Sequence, residues 1–209
     1  MVCNLHGQVD TVDDKEKKKL IWNSNYKMPS DLKDRIKNAI EEDHMDKTKF
    51  YSSYGSCDKF TDLLVPYYSE IIKDMMSDLG MFKRSLYDFN LWCQMYNSNT
   101  DSHSPHAHFT GNEIISFTHI IDATKQGCFY FIDDDNNKTY HKHQESGDIF
   151  AFPPWRIHGV DPVKEDGIDR LIVAGNIMLR SYKRPGDKMT LYSQKVGQDQ
   201  CIWRYNYHG

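Results

Sequence analysis

The chain has 209 residues, of which 39% are hydrophobic, 13% are aromatic and 27% are charged, and its formal net charge is −4. These values exclude a disordered tail, a collagen-like chain and a coiled coil as the main identity of the protein. A mildly acidic chain without a lysine- or arginine-rich face is a poor candidate for binding nucleic acid, and no apolar run approaches the roughly 20 residues of a membrane span.

The length predicts one compact domain over residues 1–209, because domains commonly contain roughly 100–200 residues. The five cysteines are scattered, and no two of them are spaced as Cys-x-x-Cys, which excludes a zinc ribbon. Their scatter favours reduced thiols, and no apolar signal-like segment stands near the N-terminus. We therefore expect a cytoplasmic protein, in the host cytoplasm if the source is a virus.

Two helices are predicted in the N-terminal part of the chain. The first runs from Ser30 to about Glu42, with Ser30 as its cap, because apolar residues recur there at helical spacing. The second runs from about Thr61 to Leu79 and carries a longer apolar stripe. Pro66 fits its first turn, and Gly80 fits the position just past its end.

After Gly80 the hydrophobic period changes from that of a helix to that of a strand, first over residues 86–95. The further predicted strands cover residues 114–121, 127–132, 138–142, 148–152, 156–160, 169–178 and 200–206. Helices followed by many short strands indicate an α+β protein with an antiparallel sandwich or barrel core. We therefore predict a helical part over about residues 1–84 and a β core over about residues 85–209.

Two histidines, His106 and His108, are separated by one residue. On an extended backbone, side chains two positions apart point the same way and lie about 7 Å apart along the chain. Two imidazoles in this arrangement can bind one metal ion, although a single His-x-His pair is a weak signal.

A third histidine, His158, follows an apolar segment that begins with Gly147 and turns at Pro153 and Pro154. A turn glycine, a strand and a proline-rich corner can bring His158 back beside the first pair. Arg170 then opens another apolar strand, where it needs an anionic partner, because an unpaired buried charge is very costly. Its guanidinium has the fork geometry that binds a carboxylate.

The order of these segments resembles that of the iron(II)/2-oxoglutarate-dependent oxygenases, particularly their prolyl-hydroxylase-like branch and a related group of bacterial and phage members. The resemblance covers roughly residues 86–178, and within it Gly127–Phe131 and Gly147–Pro162 are similar to two strand segments of the family. It implies a double-stranded β-helix core of the jelly-roll or cupin type, with the N-terminal helices packed against it.

The resemblance also implies roles for individual residues. The expected metal ligands, and the catalytic residues, are His106, His108 and His158. The residues expected to contact 2-oxoglutarate are Arg170, which would bind its far carboxylate, Tyr96 and His119. The implied cofactors are Fe(II), 2-oxoglutarate as co-substrate and O2. The implied function is that of a dioxygenase that hydroxylates an amino-acid or peptidyl substrate. Whether the substrate is a small molecule or a peptide, and what the oligomeric state is, the resemblance leaves open.

One departure from the family affects the metal site. The family usually combines two histidines with a carboxylate, and this chain has His108 where the carboxylate is expected. Either the site contains three histidines, or Glu113 replaces one of them as the third ligand. Asp101 and His103 form another, weaker candidate pair in a polar loop.

His141 and His143 repeat the His-x-His spacing beside Lys142. On a polar hairpin arm, such residues are typical of a solvated surface. The alternative is that they line the mouth of the pocket.

Two other classes remain compatible with the pattern. A cupin-type dioxygenase or isomerase that does not use 2-oxoglutarate would need Glu113 and would have no use for Arg170. A non-catalytic jelly-roll binding module would need neither, and its histidines would be incidental or would hold a structural metal.

Overall fold

The computed structural model describes residues 20–54, 57–81, 85–100, 102–108, 112–142, 144–164, 167–182, 188–195 and 201–208. Within these ranges there is no helix whose length and apolar character would allow it to cross a membrane.

Both predicted helices are confirmed, as α1 (Ser30–Asp43) and α2 (Cys57–Asp78). The prediction that Ser30 caps α1 is wrong. The cap is Pro29, whose carbonyl oxygen accepts the first helical hydrogen bond from the amide of Lys33 at 3.0 Å, and no side chain caps this end.

The two predictions about the ends of α2 have different outcomes. Pro66 lies inside the helix and not in its first turn, because α2 begins at Cys57. Gly80 does follow the helix, with φ of +68°. The amides of Gly80 and Met81 bond to the carbonyls of Ser77 and Met76 at 2.9 and 2.7 Å, which is a Schellman end that favours glycine.

The described residues form twelve strands. They are β1 (Trp22–Asn25), β2 (Tyr51–Ser52), β3 (Ser85–Tyr96), β4 (His103–His106), β5 (Glu113–Asp122), β6 (Phe129–Ile132), β7 (Lys138–Tyr140), β8 (Asp148–Phe152), β9 (His158–Val160), β10 (Arg170–Tyr182), β11 (Lys188–Lys195) and β12 (Cys201–His208). All eight predicted strands are present with adjusted ends, whereas β1, β2, β4 and β11 were not predicted by the alternation pattern.

The strands form two antiparallel sheets. The main sheet has the order β1-β8-β5-β10-β3-β12-β11, with β2 paired to β3, and the smaller sheet has the order β4-β9-β6-β7. Helices combined with two antiparallel sheets confirm the predicted α+β class.

Successive side chains of a strand point to opposite faces, and this alternation gives the main sheet two different cores. On β10, Leu171, Val173 and Ile177 belong to a core shared with the helices. The alternating residues Ile172 and Ala174 belong to a second core, shared with the smaller sheet. The helices therefore cover one face of the main sheet, and the space between the two sheets lies on the other face.

His119 lies on the helix side of the main sheet. Its Nε2 is 2.8 Å from the backbone carbonyl oxygen of Tyr26, which can only accept, so Nε2 carries the proton. Nδ1 then accepts a hydrogen bond from the Tyr68 hydroxyl at 2.7 Å. The prediction that His119 contacts the co-substrate is wrong, because strand alternation turns Thr118 and Ile120, and not His119, toward the smaller sheet.

The buried position of His119 predicts an acid-sensitive contribution to folding. Burial lowers its pKa from 6.5 to about 4, so between these values the unfolded chain binds more protons than the folded one. Stability is therefore lost as the pH falls through this window. In urea unfolding at pH 7 and pH 4.5, we expect His119→Gln to lose less stability on acidification than the wild type, by up to about 3 kcal/mol. An unchanged pH dependence in the variant would show that His119 titrates normally in the folded protein.

Candidate metal and anion site

The pairing of β4 with β9 brings the three predicted histidines together. His106 is the direct cross-strand partner of His158. His108 lies two residues beyond β4, where its backbone amide donates to the carbonyl of Pro154 at 2.8 Å. One nitrogen from each ring lies within 4.8 Å of the corresponding nitrogens of the other two. The ring centroids are 4.5 to 5.1 Å apart.

Each of the three rings has its Nδ1 atom occupied by a protein oxygen. Nδ1 of His106 is 2.8 Å from the carbonyl of Ser104, and Nδ1 of His158 is 3.0 Å from the carbonyl of Arg156. Carbonyl oxygens only accept, so both Nδ1 atoms must be protonated when the rings are neutral. The lone pair of each ring is then on Nε2, which is the nitrogen available to a metal.

The third ring follows the same rule through a side chain. Nδ1 of His108 is 2.8 Å from Oδ1 of Asn176, which also accepts a hydrogen bond from the Ser116 hydroxyl at 2.8 Å. His108 therefore also presents Nε2. Three separate acceptors thus hold the three rings in the same tautomer.

Burial keeps two of the three clustered rings neutral. His158 is 5% exposed and its ring centroid is 4.8 Å from that of Phe152 and 5.5 Å from that of Phe129. Burial lowers the pKa of His158 well below its usual value, and it also lowers the pKa of His108. Neutral imidazoles are the form that binds metal ions, so no proton has to be removed from these two rings near pH 7.

Arg170 is 1% exposed, and neither of its terminal nitrogens has a hydrogen-bond partner among the described residues. The residue begins β10 and is the cross-strand partner of Tyr96, whose ring centroid is 5.5 Å from the guanidinium carbon. A buried guanidinium without an acceptor is unfavourable unless an anion binds to it. Arg170 therefore has the properties of an anion site.

A cavity of about 380 Å³ lies between the sheets and is lined by all three clustered histidines. On β10 its wall contains Ile172, Ala174 and Asn176. Arg170 belongs to the same alternating series, so its side chain is on the face of the sheet that forms this wall. The candidate anion site on the main sheet thus faces the side on which the smaller sheet holds the three clustered histidines.

Tyr96 is buried, and its hydroxyl donates to Oε1 of Gln94 at 2.9 Å. The same hydroxyl oxygen is 3.2 Å from Nδ1 of His103, from which it accepts. His103 lines the cavity and stacks on His106 at 4.3 Å, and burial lowers its pKa to about 4. The structure thus places Tyr96 beside Arg170 and adds His103 to the cavity wall. Asp101, its suggested partner, lies outside the described residues.

The remaining candidates are further from the cluster. Glu113 lines the cavity, where its charge opposes part of the lowering that burial causes in the pKa of His108. It does not belong to the group of convergent ligand atoms among the described residues. His141 packs against Phe150 at 4.4 Å between ring centroids and is not among the cavity-lining residues in the described part of the chain. His143 lies outside the described residues.

Asn176 was not predicted as a site residue. The sequence did contain a signal, because a polar residue interrupts an apolar strand there, at the same alternation as Arg170. The sequence does not indicate which residue Asn176 contacts, because its partner His108 is 68 positions away.

No protein-family model and no curated protein sequence matches the chain. Solved structures do match. A prolyl-4-hydroxylase from Pseudomonas putida has a TM-score of 0.51 at 15% identity, over 76% of this chain and 92% of that chain. A prolyl hydroxylase from Trichoplax adhaerens, solved with a peptide of the hypoxia inducible factor oxygen degradation domain, has a TM-score of 0.53 at 9% identity, over 75% and 82%.

The non-heme alpha-ketoglutarate-dependent carbocyclase SnoK of nogalamycin biosynthesis has a TM-score of 0.56 at 10% identity, over 75% of this chain and 79% of that chain. At such low identity, these likenesses establish the fold alone. The chain has the double-stranded β-helix architecture that the order of its motifs predicts, and it resembles structurally the 2-oxoglutarate-dependent oxygenases, including prolyl hydroxylases.

Proposed function

We propose that the chain is an Fe(II)- and 2-oxoglutarate-dependent oxygenase that hydroxylates an amino-acid or peptidyl substrate. The observation that carries this proposal is the combination of two unusual features between the two sheets. Three imidazoles held by the smaller sheet have converging ring nitrogens. On the face of the main sheet turned toward them lies a buried guanidinium whose terminal nitrogens have no hydrogen-bond partner among the described residues.

The donor set fits Fe(II). Imidazole nitrogen is a suitable ligand for this ion, and a site with three protein ligands would leave coordination positions free for a co-substrate. When bound, Fe(II) would supply the O2 activation that is coupled to conversion of 2-oxoglutarate to succinate and CO2, with the second oxygen atom entering the substrate.

The chain's own residues have four tasks in this proposal. His106, His108 and His158 hold the metal, each oriented by the acceptor at its Nδ1 atom. Arg170 binds the far carboxylate of 2-oxoglutarate as a charge-assisted pair. Tyr96 packs beside that guanidinium. The apolar wall around His158 excludes water, which strengthens each of these electrostatic interactions.

Two features favour this function over a cupin-type enzyme. A cupin-type enzyme would use Glu113 as a ligand, whereas the convergent group in the described residues consists of histidines. It would also leave the buried guanidinium of Arg170 without a function. The substrate class is supported by the prolyl hydroxylase structures with the same fold, one of which was solved with a peptide.

The first prediction concerns the metal. Replacing His158 with Ala removes one of three ligands, so we expect at least a 100-fold loss of Fe(II) affinity, measured anaerobically by competition with a chromophoric chelator, together with loss of turnover. His141→Ala is the matched control, because it removes a histidine that packs near the same core without joining the cluster. Equal affinity in the wild type and His158→Ala would refute the proposed ligand set.

The second prediction concerns the co-substrate and uses an apolar substitution at Arg170. The unpaired guanidinium is costly when no anion is bound. In the absence of 2-oxoglutarate, we therefore expect Arg170→Leu to be as stable as the wild type or more stable. Saturating 2-oxoglutarate should raise the unfolding temperature of the Fe(II)-loaded wild type and should not raise that of the variant.

Pyruvate provides the ligand control for this experiment, since it keeps the keto-acid end and lacks the far carboxylate. We expect wild type and Arg170→Leu to respond to pyruvate alike. Arg35→Leu on the exposed side of α1 provides the matched control variant and should respond to 2-oxoglutarate like the wild type. A full 2-oxoglutarate response in Arg170→Leu would refute the assignment, and no response in wild type that binds Fe(II) would favour a cupin-type function.

A further inference from the structure

Three polar residues form a row across the centre of the main sheet. Asn176 on β10 is the direct cross-strand partner of Ser116 on β5 and of Asn90 on β3. Asn176 is 5% exposed and Ser116 is fully buried. Next to this row on β10, at the same alternation, is Ala174, and Phe152 is the partner of Ser116 on β8. The row is a polar group bordered by these apolar side chains.

Hydrogen bonds connect the row to one metal-site ring. Oδ1 of Asn176 accepts from the hydroxyl of Ser116 and from Nδ1 of His108, both at 2.8 Å. The backbone amide of Asn176 donates to Oδ1 of Asn90 at 3.0 Å. Asn90 thus holds the backbone of Asn176, and Ser116 holds its side chain. The second lone pair of Oδ1 accepts the hydrogen bond from His108.

His108 differs from the other two rings in what orients it. His106 and His158 donate to backbone carbonyls two residues away in the chain, so local backbone geometry sets their tautomers. His108 donates to a side chain from another sheet. It is also the histidine that stands where the resembled family has a carboxylate, a ligand that needs no tautomer to be fixed.

We infer that Asn176, supported by Ser116 and Asn90, is a positioning residue that makes His108 a metal ligand by holding its Nδ1–H and directing its Nε2 at the metal. This inference rests on the proposed function, since it assumes that the cluster binds a metal. Burying polar groups such as Asn176 and Ser116 is favourable only when they are hydrogen-bonded, and His108 donates a hydrogen bond to the row from the cavity side.

The alternative is that the row only stabilises the sheet, and a double-mutant cycle separates the two roles. Metal affinity is measured for wild type, Asn176→Val, His108→Ala and the double variant, using Co²⁺ in competition with a chromophoric chelator. If Asn176 acts through His108, Asn176→Val lowers the affinity about 10- to 100-fold in the wild type and changes it less than about 3-fold when His108 is already absent.

Two further variants make the test independent of how well Asn176→Val folds. Asn176→Asp retains an acceptor for Nδ1–H, so we expect it to bind Co²⁺ at least as tightly as the wild type. Thr118→Val removes another buried hydroxyl from the same face of β5, and it should leave the metal affinity unchanged.

The outcomes distinguish this inference from the proposed function. If the wild type binds no metal, the proposed function fails. If it binds metal but Asn176→Val binds equally well, or loses the same factor with and without His108, then only the positioning role is refuted. The same is concluded if Asn176→Asp loses as much affinity as Asn176→Val.

Discussion

The antiparallel pairing of β4 with β9 is the interaction on which the candidate site depends. It places His106 opposite His158, and the two residues that follow β4 bring His108 to the same point. β9 also pairs with β6, so His158 is fixed from two sides in the interior of the smaller sheet. A one-residue slip of β4 would turn His106 away from His158, because neighbouring residues of a strand face opposite sides. The register of two short strands therefore decides whether the histidines converge.

The main sheet contributes the complementary part of the site. Its helix-facing side is apolar apart from groups such as His119, which is fully hydrogen-bonded. Its cavity-facing side carries Arg170 at the start of β10 and Asn176 further along it. The strands that pack against the helices on one face thus also carry a cation and an acceptor on the face toward the histidines. This division of roles between the two faces follows from the alternation of side chains along each strand.

The convergence of His106, His108 and His158 could be predicted from the sequence because the order of the motifs along the chain is informative even when each motif alone is weak. His119 was predicted wrongly because its position in that order is close to the expected one, yet a difference of one residue reverses the face of the sheet. His103 and Asn176 were not predicted, since their roles come from partners in other strands. Tyr96 bonds to His103, and His108 bonds to Asn176, only after the two sheets are in place.

The same reasoning explains the errors in the helices. A cap and a first turn are defined by where the hydrogen bonds begin, and Ser30 and Pro66 were assigned from residue preference alone. Preferences of this kind are weak compared with tertiary packing, and the apolar stripe of α2 forms much of the helix-facing core.

The most direct test of the three-histidine site is anomalous X-ray diffraction at the iron edge from crystals loaded anaerobically with Fe(II). We predict one peak within bonding distance of Nε2 of His106, His108 and His158, with the other coordination positions taken by water or by added 2-oxoglutarate. A peak bound to the carboxylate of Glu113 in place of an imidazole, or a peak elsewhere in the molecule, would contradict the site described here.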